Sequence, residues 1–192
     1  GKQSVETATL IVVLVIVLAL FFDFTNGFHD TANAMATPIA TGALKPKVAV
    51  LLAAILNLVG AFLSTEVAKT ISNGLIREDQ IDPNAFLPLI FAGLIGAITW
   101  NMFTWLLGLP SSSSYALLGG IIGATIASLG TSGVKWFGDG TKIDGVVGKI
   151  LIPAVLSPII AGLIAMVGSF VVTRLASGTD PKRAASGFRW GQ

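Results

Sequence analysis

The sequence contains no cysteine, which excludes disulfide bonds and thiolate metal sites. Charged side chains are also scarce, because only 11% of the 192 residues are Asp, Glu, Lys or Arg. A soluble domain typically carries about 25%. The formal net charge is +2 with no block of basic residues, so a nucleic-acid partner is not expected. These absences favour a membrane protein.

Long apolar runs are what the sequence has in abundance. Hydrophobic residues make up 53% of the chain, and the mean hydropathy is +0.82. Five apolar stretches stand out, at residues 7–24, 46–63, 85–109, 111–129 and 146–173. Each approaches or exceeds the roughly 20 residues that a helix needs to cross a bilayer. The predicted fold class is therefore an all-α, polytopic membrane helical bundle.

Residues 1–176 are predicted to form one transmembrane unit, and residues 177–192 a polar linker. The tail contains Gly178, an Asp180-Pro181 turn signal and several basic residues, which is typical of a linker. The chain begins with Gly1 rather than Met and ends on FRWGQ without a natural stopping point. We therefore expect a fragment of a longer protein.

Polar side chains appear where the first apolar stretch should simply continue as a membrane helix. Two carboxylates, Asp23 and Asp30, and two amides, Asn26 and Asn33, follow that stretch. Together with Thr37 they fall within an arc of about 80° on one face of a helix. Ionisable groups at membrane depth are costly and are usually functional. The stripe predicts the lining of a site, and the alternative is an ordinary loop after a short span.

The same segment contains a glycine and the single histidine of the chain. Gly27 is expected to permit local unwinding, which would free backbone carbonyls as cation ligands. His29 falls outside the polar arc. It is either a packing residue with satisfied polar atoms or a proton relay, since an imidazole ordinarily exchanges its proton near neutral pH.

A second polar segment separates the third and fourth apolar stretches. Proline interrupts a helix interior, so Pro110 predicts a re-entrant tip or a discontinuous helix. The N–H groups that begin the next helix lack internal partners and favour negative charge. The hydroxyls of Ser111, Ser112, Ser113 and Ser114 add further donors. An anion site is predicted here, and the alternative is a plain N-cap with a polar linker.

Two weaker features lie on either side of this break. Asn101 is a polar residue in the middle of a span, and either makes an interhelical hydrogen bond or lines the site. Gly119 and Gly123 have a small-xxx-small spacing, which is typical of close helix packing in membranes.

Neither polar segment is accompanied by a lysine or an arginine. No Lys or Arg lies between Lys2 and Lys45, or between Arg77 and Lys135. A bound anion would therefore depend on helix dipoles, hydroxyls, amides and a cation held by the carboxylates. An anion affinity that depends on a bound cation is the thermodynamic basis of symport.

The stretches NGFHDTANAMAT and LPSSSSYALLGGIIGA resemble two motifs of the inorganic phosphate transporter (Pit) family. Members of that family carry a G-x-[HN]-D-x-[AT]-N signature and a later P-x-S-[ST]-[ST]-H element. The resemblance extends from Asp23 past Gly123. It implies secondary transport of inorganic phosphate, in some members as a metal–phosphate complex, driven by H⁺ or Na⁺. It also implies two inverted repeats, each contributing one copy of both motifs to a shared site.

The resemblance also assigns roles by position. It places Asn26, Asp30 and Asn33 in the cation and phosphate site, with Thr37 adjoining, and makes phosphate-facing hydroxyls of Ser112, Ser113 and Ser114. Tyr115 stands where the family usually has His, so any role of that imidazole is lost or moved. Because each motif occurs once, the chain is expected to be the N-terminal repeat and to hold half of a site.

We therefore predict the N-terminal half of a cation-coupled symporter of inorganic phosphate or metal phosphate, in the plasma or inner membrane. The predicted substrate-binding residues are Asn26, Asn33, Thr37, Ser111, Ser112, Ser113 and Ser114. The predicted cation-coupling residues are Asp23, Asp30 and Asn33. No cofactor or resident metal is expected beyond the co-transported H⁺ or Na⁺, or the divalent metal of a metal phosphate.

The expected partners are phosphate, the coupling cation, the lipid bilayer and the second inverted repeat, with a homo-oligomer left open. The chain is not expected to be an enzyme. The alternatives are a passive anion channel, a non-transporting assembly subunit and, more remotely, an intramembrane serine hydrolase. The hydrolase would pair one of the four serines with His29 within hydrogen-bond reach.

Overall fold

The computed structural model describes residues 2–63, 74–137 and 145–176, and these residues form five α-helices. The helices are α1 (Lys2–Ala40), α2 (Pro46–Leu63), α3 (Pro83–Leu106), α4 (Ser113–Leu129) and α5 (Ile152–Ala176). Short 3₁₀ turns lie at Glu78–Gln80 and Thr131–Gly133, and a π-helical turn at Val147–Leu151 leads into α5. The predicted all-α membrane bundle is confirmed. The predicted linker, residues 177–192, lies outside the described residues.

Three described segments are long and apolar enough to cross a membrane: Glu6–Ala40, Pro83–Leu106 and Val147–Leu175. Pro46–Phe62 and Ser113–Leu129 are apolar but shorter. In α5 the side chains of residues 154–175 are all exposed, although most of them are apolar. A helix that is hydrophobic all round belongs in lipid or inside a larger protein.

Helix α1 continues without interruption through the polar segment. The hypothesis of an ordinary loop after a short span is therefore wrong. The helix is not unwound at Gly27 in this structure, and the local unwinding that this glycine permits stays a prediction. The helix ends two residues after Pro38, and Gly42 then adopts a φ of +72°. Glycine takes this left-handed conformation at low cost, and it commonly ends helices in this way.

Helices α3 and α4 form an antiparallel hairpin whose chain reverses at residues 107–112. Asp82 caps α3 by accepting a hydrogen bond of 2.8 Å from the Asn84 backbone N–H, and Pro83 occupies the first turn. At the other side of the reversal, Ser112 is the N-cap of α4. The break near Pro110 is therefore the tip of a helical hairpin.

Close contact in the hairpin occurs at glycines other than the predicted pair. A Cβ atom on Gly120 would lie 2.2 Å from the Gly93 carbonyl oxygen, so the two backbones touch there. A Cβ on Gly119 or Gly123 would meet no described atom within 4 Å. The described residues therefore provide no close packing partner for Gly119 or Gly123, whose predicted packing role stays a prediction. Within the hairpin, glycine at position 120 carries that role.

A small apolar cluster fixes α1 against the hairpin. It consists of Phe22 from α1, Leu94 and Ala97 from α3, and Ala116 from α4. This four-residue cluster, called the anchor cluster below, lies next to the polar segment of α1. A second, larger cluster lies around the opposite end of the hairpin; its buried members are Leu75, Ile76, Ile81, Leu89, Ile121, Val134, Val146 and Ile150.

Candidate functional site

Ser113 joins the tip of the hairpin to the polar stripe of α1. Its hydroxyl lies in hydrogen-bond contact with Asn26 Oδ1 and, at 3.0 Å, with Asp30 Oδ2. A hydroxyl has a single proton, so it donates to one of these two acceptors at a time. Asn26 and Asp30 are four residues apart on α1 and therefore present neighbouring side chains to the same serine.

Burial differs sharply between the two sides of this contact. Ser113 is only 2% exposed, whereas the Asp30 side chain is 49% exposed. The serine is therefore fixed inside the bundle, while the carboxylate keeps an open side that an ion can approach. The sequence predicts that these two segments converge, and the structure brings Asn26, Asp30 and Ser113 together.

His29 lies beside the same carboxylate. Its side chain is 5% exposed, and its Nδ1 atom is 3.5 Å from Asp30 Oδ1. Within the described part of the chain, Nδ1 makes no hydrogen bond. The hypothesis of a packing residue with every polar atom satisfied is therefore not supported. The proton-relay role stays a prediction.

The remaining members of the stripe do not reach the hairpin. Asp23, Asn33 and Thr37 have exposed side chains along α1. Their predicted roles in cation coupling and substrate binding stay predictions. Helical geometry places them on the face that carries Asn26 and Asp30, above and below the contact with Ser113.

The four serines occupy different environments. The Trp100 indole donates a 3.2 Å hydrogen bond to Ser111 Oγ, and the Tyr115 backbone N–H donates a 3.4 Å bond to Ser112 Oγ. The N-cap alternative thus holds for Ser112, while Ser113 faces α1 and Ser114 is exposed. A cavity of about 600 Å³ adjoins the tip, lined by Gly96, Trp100, Ser111, Ser112, Tyr115, Ala116, Gly119 and Gly120.

Asn101 is almost completely buried on α3, with 1% of its surface exposed. Neither its Oδ1 nor its Nδ2 atom bonds to any described group. The interhelical hydrogen bond that the sequence left open is therefore not found among these residues. Buried Thr25, Thr104 and Thr125 differ, because each hydroxyl donates to a carbonyl of its own helix.

The side-chain atoms that meet at the Ser113 contact, and that could bind a cation there, are all oxygen atoms. Hard cations such as Na⁺ and Mg²⁺ prefer carboxylate, amide and hydroxyl oxygens, and a carboxylate also binds a proton. Among the described residues there is no group of three or more His, Cys, Asp and Glu side chains suited to a metal ion. Among the described residues, no hydrogen bond joins His29 to any of the four serines, which is the contact that a hydrolase would require.

Comparison with known proteins assigns the chain to a protein family. Residues 26–190 match the family model described as the phosphate transporter family. The chain belongs to this family. Over 182 residues it is 56% identical to the probable low-affinity inorganic phosphate transporter of Mycobacterium bovis, a match that covers 95% of this chain and 41% of that protein. The corresponding Bacillus subtilis protein is 39% identical over 180 residues, with 94% and 51% covered.

A solved structure also resembles this member of the phosphate transporter family. The structure is described as the sodium-dependent phosphate transporter, and it matches with a TM-score of 0.78 and 27% sequence identity. The match covers 91% of this chain and 42% of that one. The chain thus spans about 41% of the M. bovis relative's length. Membership of this family and the several apolar helices indicate that the chain belongs to a multi-pass protein of the plasma membrane. The names of the relatives describe transport rather than catalysis.

Proposed function

We propose that the complete protein carries inorganic phosphate across the plasma membrane together with a coupling cation, and that this chain supplies the N-terminal half of the site. The observation that carries the proposal is the contact of Ser113 with Asn26 and Asp30. It joins the hydroxyl-rich start of α4 to the carboxylate–amide stripe of α1. The names of the relatives and of the structural neighbour support phosphate as the solute.

The charge of Asp30 explains why a cation is needed. Two unit charges about 5 Å apart repel by roughly 3 kcal/mol at an effective dielectric constant of about 20. A carboxylate next to the start of α4 therefore weakens phosphate binding by about two orders of magnitude. Na⁺ or H⁺ bound to Asp30 removes this repulsion. Neither polar segment contains a Lys or Arg that would do the same.

The hydroxyl of Ser113 provides a second link between cation and anion. In the structure its proton is directed to the oxygens of Asn26 and Asp30. A cation that binds to those same oxygens competes with the Ser113 hydroxyl for them. The O–H bond of Ser113 then rotates and donates to a phosphate oxygen instead. Phosphate thus gains a hydrogen-bond donor only when the cation is present. This competition is a physical mechanism for coupled binding.

The remaining roles extend this scheme along α1 and the hairpin tip. Asp23, Asp30 and Asn33 would hold the coupling cation, H⁺ or Na⁺. The substrate, free phosphate or a metal phosphate, would contact the amides, Thr37 and the serines. A second inverted repeat of the same protein would complete the site, and alternating access of the two repeats would move the solute across the membrane.

The test is uptake of labelled phosphate by proteoliposomes that contain the full-length protein, driven by an imposed Na⁺ or H⁺ gradient. Asp30→Asn keeps the shape of the side chain but removes its charge, so we expect cation-driven uptake to fall by roughly tenfold or more. Asp79→Asn is the control, because Asp79 is an exposed carboxylate outside the site. Undiminished, still cation-driven uptake by Asp30→Asn would remove Asp30 from the coupling role.

The same vesicles separate the other candidate functions. A passive channel would equilibrate phosphate but would not accumulate it against its gradient. A non-transporting subunit would leave the vesicles silent even with the wild-type protein. Comparing Na⁺ and H⁺ gradients of equal size identifies the coupling ion.

A further inference from the structure

We propose that Asn101 is a binding residue of the transport site, and that its amide contacts the cation through Oδ1 and the phosphate through Nδ2. This inference rests on the proposed function. It assigns a role to a residue outside the two motifs discussed above. The first support is the place of Asn101 in the helical register.

The anchor cluster fixes the register of the three helices that meet at the site. Phe22, Ala97 and Ala116 belong to this cluster and come from α1, α3 and α4 respectively. One helical turn is 3.6 residues, so the next residue on the same face is three or four positions away. On each helix we therefore identify the residue that lies one turn beyond the cluster member, on the side of the hairpin tip.

The three residues identified in this way are all polar and lie in one layer across the three helices. On α1 one turn leads from Phe22 to Asn26, and on α3 from Ala97 to Asn101. On α4, which runs in the opposite direction, one turn leads from Ala116 back to Ser113. The contact between the Phe28 and Trp105 rings, with centroids 5.5 Å apart, confirms that α1 and α3 remain adjacent beyond this layer. Asn101 therefore shares a layer with the Ser113–Asn26 contact.

The second support is the unpaired amide itself. An amide buried without a hydrogen bond is costly, and most buried polar groups in proteins are paired. Asn101 is 1% exposed, yet no described group pairs with either of its amide atoms. Thr104 lies one turn further along α3 and is equally buried, but its hydroxyl donates to the carbonyls of Trp100 and Asn101. Burial on α3 therefore does not by itself leave a polar side chain unpaired, and Asn101 is the residue of which both amide atoms lack a partner among the described groups.

The chemistry of an amide suits a site that binds a cation and an anion together. An asparagine side chain has one carbonyl oxygen that accepts and one NH₂ group that donates. The oxygen suits Na⁺, which prefers oxygen ligands, and the NH₂ group suits a phosphate oxygen. A single neutral side chain thus contacts both solutes without adding a charge that would favour one over the other.

The experiment compares variants of the full-length transporter with and without ligands. Asn101→Leu removes donor and acceptor but keeps the branched shape of the side chain, and Thr104→Val is the matched control on the same helix. Melting temperature is measured in choline chloride, in NaCl, and in NaCl with inorganic phosphate. Uptake assays give the KM values for phosphate and for Na⁺.

We expect Asn101→Leu to leave the melting temperature in choline unchanged or raised, because it removes an unpaired buried amide. The stabilisation by NaCl and phosphate should disappear. The KM for phosphate should rise by roughly tenfold or more, the factor for loss of one hydrogen bond to a charged group. Thr104→Val should keep both ligand responses. Asn101→Asp, which retains acceptors but loses the donor, should raise the phosphate KM much more than the Na⁺ KM.

Two results would overturn the assignment. If Asn101→Leu lowers the melting temperature in choline while the ligand responses persist, Asn101 has a structural partner and is not a binding residue. If both KM values stay at the wild-type level, its amide does not contact the solutes. Failure of the proposed function is separately visible, because wild-type vesicles would then take up no phosphate. In that case the NaCl response alone still tests whether Asn101 binds the cation.

Discussion

At the scale of single residues, Ser113 has the most constrained position in the candidate site. Its side chain is buried at the start of α4 and contacts an amide and a carboxylate of α1. A hydrogen bond to a charged acceptor is stronger than one between neutral groups. The same hydroxyl therefore stabilises the packing of α4 on α1 and, in the proposed mechanism, supplies a donor to phosphate.

Substituting Ser113 with alanine should affect both properties. Ser113→Ala removes the one hydroxyl that hydrogen-bonds to Asn26 and Asp30 among the described residues, so the free energy of unfolding should fall by about 1–2 kcal/mol. The phosphate KM should rise by roughly tenfold, since one hydrogen bond to the anion is lost. Ser128→Ala is the matched control, because Ser128 is exposed on the same helix. Equal behaviour of the two variants in melting and uptake assays would contradict both roles of Ser113.

The sequence allowed part of this residue-scale picture to be predicted. Asn26, Asp30 and the serines stand out because polar groups interrupt apolar stretches, and the family resemblance joins the two segments. Which serine faces α1 could not be predicted, because each step along a helix rotates the side chain by 100°. Ser112 and Ser113 therefore point in different directions, and only the packing of α4 on α1 decides between them.

At the scale of helices, the hairpin of α3 and α4 positions the serines. The two backbones touch at Gly93 and Gly120, where a side chain would collide with main-chain atoms. Membrane helices commonly use small residues for such close contacts, since van der Waals packing is a main source of their association. The distance between α3 and α4, and with it the place of the hairpin tip, depends on these glycines.

A methyl group at the contact should separate the two helices. Gly120→Ala places a Cβ atom 2.2 Å from the Gly93 carbonyl oxygen, so we expect destabilisation of about 1–3 kcal/mol. Gly119→Ala is the adjacent control, because its Cβ would meet no described atom within 4 Å. Alanine there should be neutral or stabilising by up to about 1 kcal/mol, from its higher helix propensity. Melting of the full-length protein checks the pair, and equal stability of the two variants would reject this close contact.

The glycine contact also shows why helix packing was harder to predict than helix location. The small-xxx-small spacing of Gly119 and Gly123 is a pattern on one helix, but close packing depends on how that helix is rotated toward its neighbour. Gly120 has the same spacing with Ala116 and Ala124, and it is Gly120 that faces Gly93. The buried loop residues Leu75 and Val134 were missed for a related reason, since segments this short show no periodicity.

At the scale of the whole molecule, much of the apolar surface has no protein cover in the described chain. Leu163, Ile164 and Phe170 of α5 are 55%, 67% and 65% exposed. An apolar groove of about 690 Å³ also lies between α1 and α2, with Phe28 and Val50 among its lining residues. Soluble proteins rarely expose such large apolar areas. Lipid and further protein are therefore the environment that this surface requires.

The absence of cysteine makes this membrane environment directly testable by labelling. Ile160→Cys in α5 and Gln80→Cys in the 3₁₀ turn each introduce the only thiol of this chain, and both positions are exposed. A membrane-impermeant maleimide, present on both sides of the bilayer, reacts with ionised thiols, which form in water but not in lipid. We expect rapid labelling at position 80 and labelling at position 160 only after denaturation in detergent. Any cysteines elsewhere in the full-length protein are first replaced, and denatured samples serve as the control for total thiol. Equal labelling rates in intact membranes would show that α5 faces water, and the membrane-spanning assignment of this helix would then be rejected.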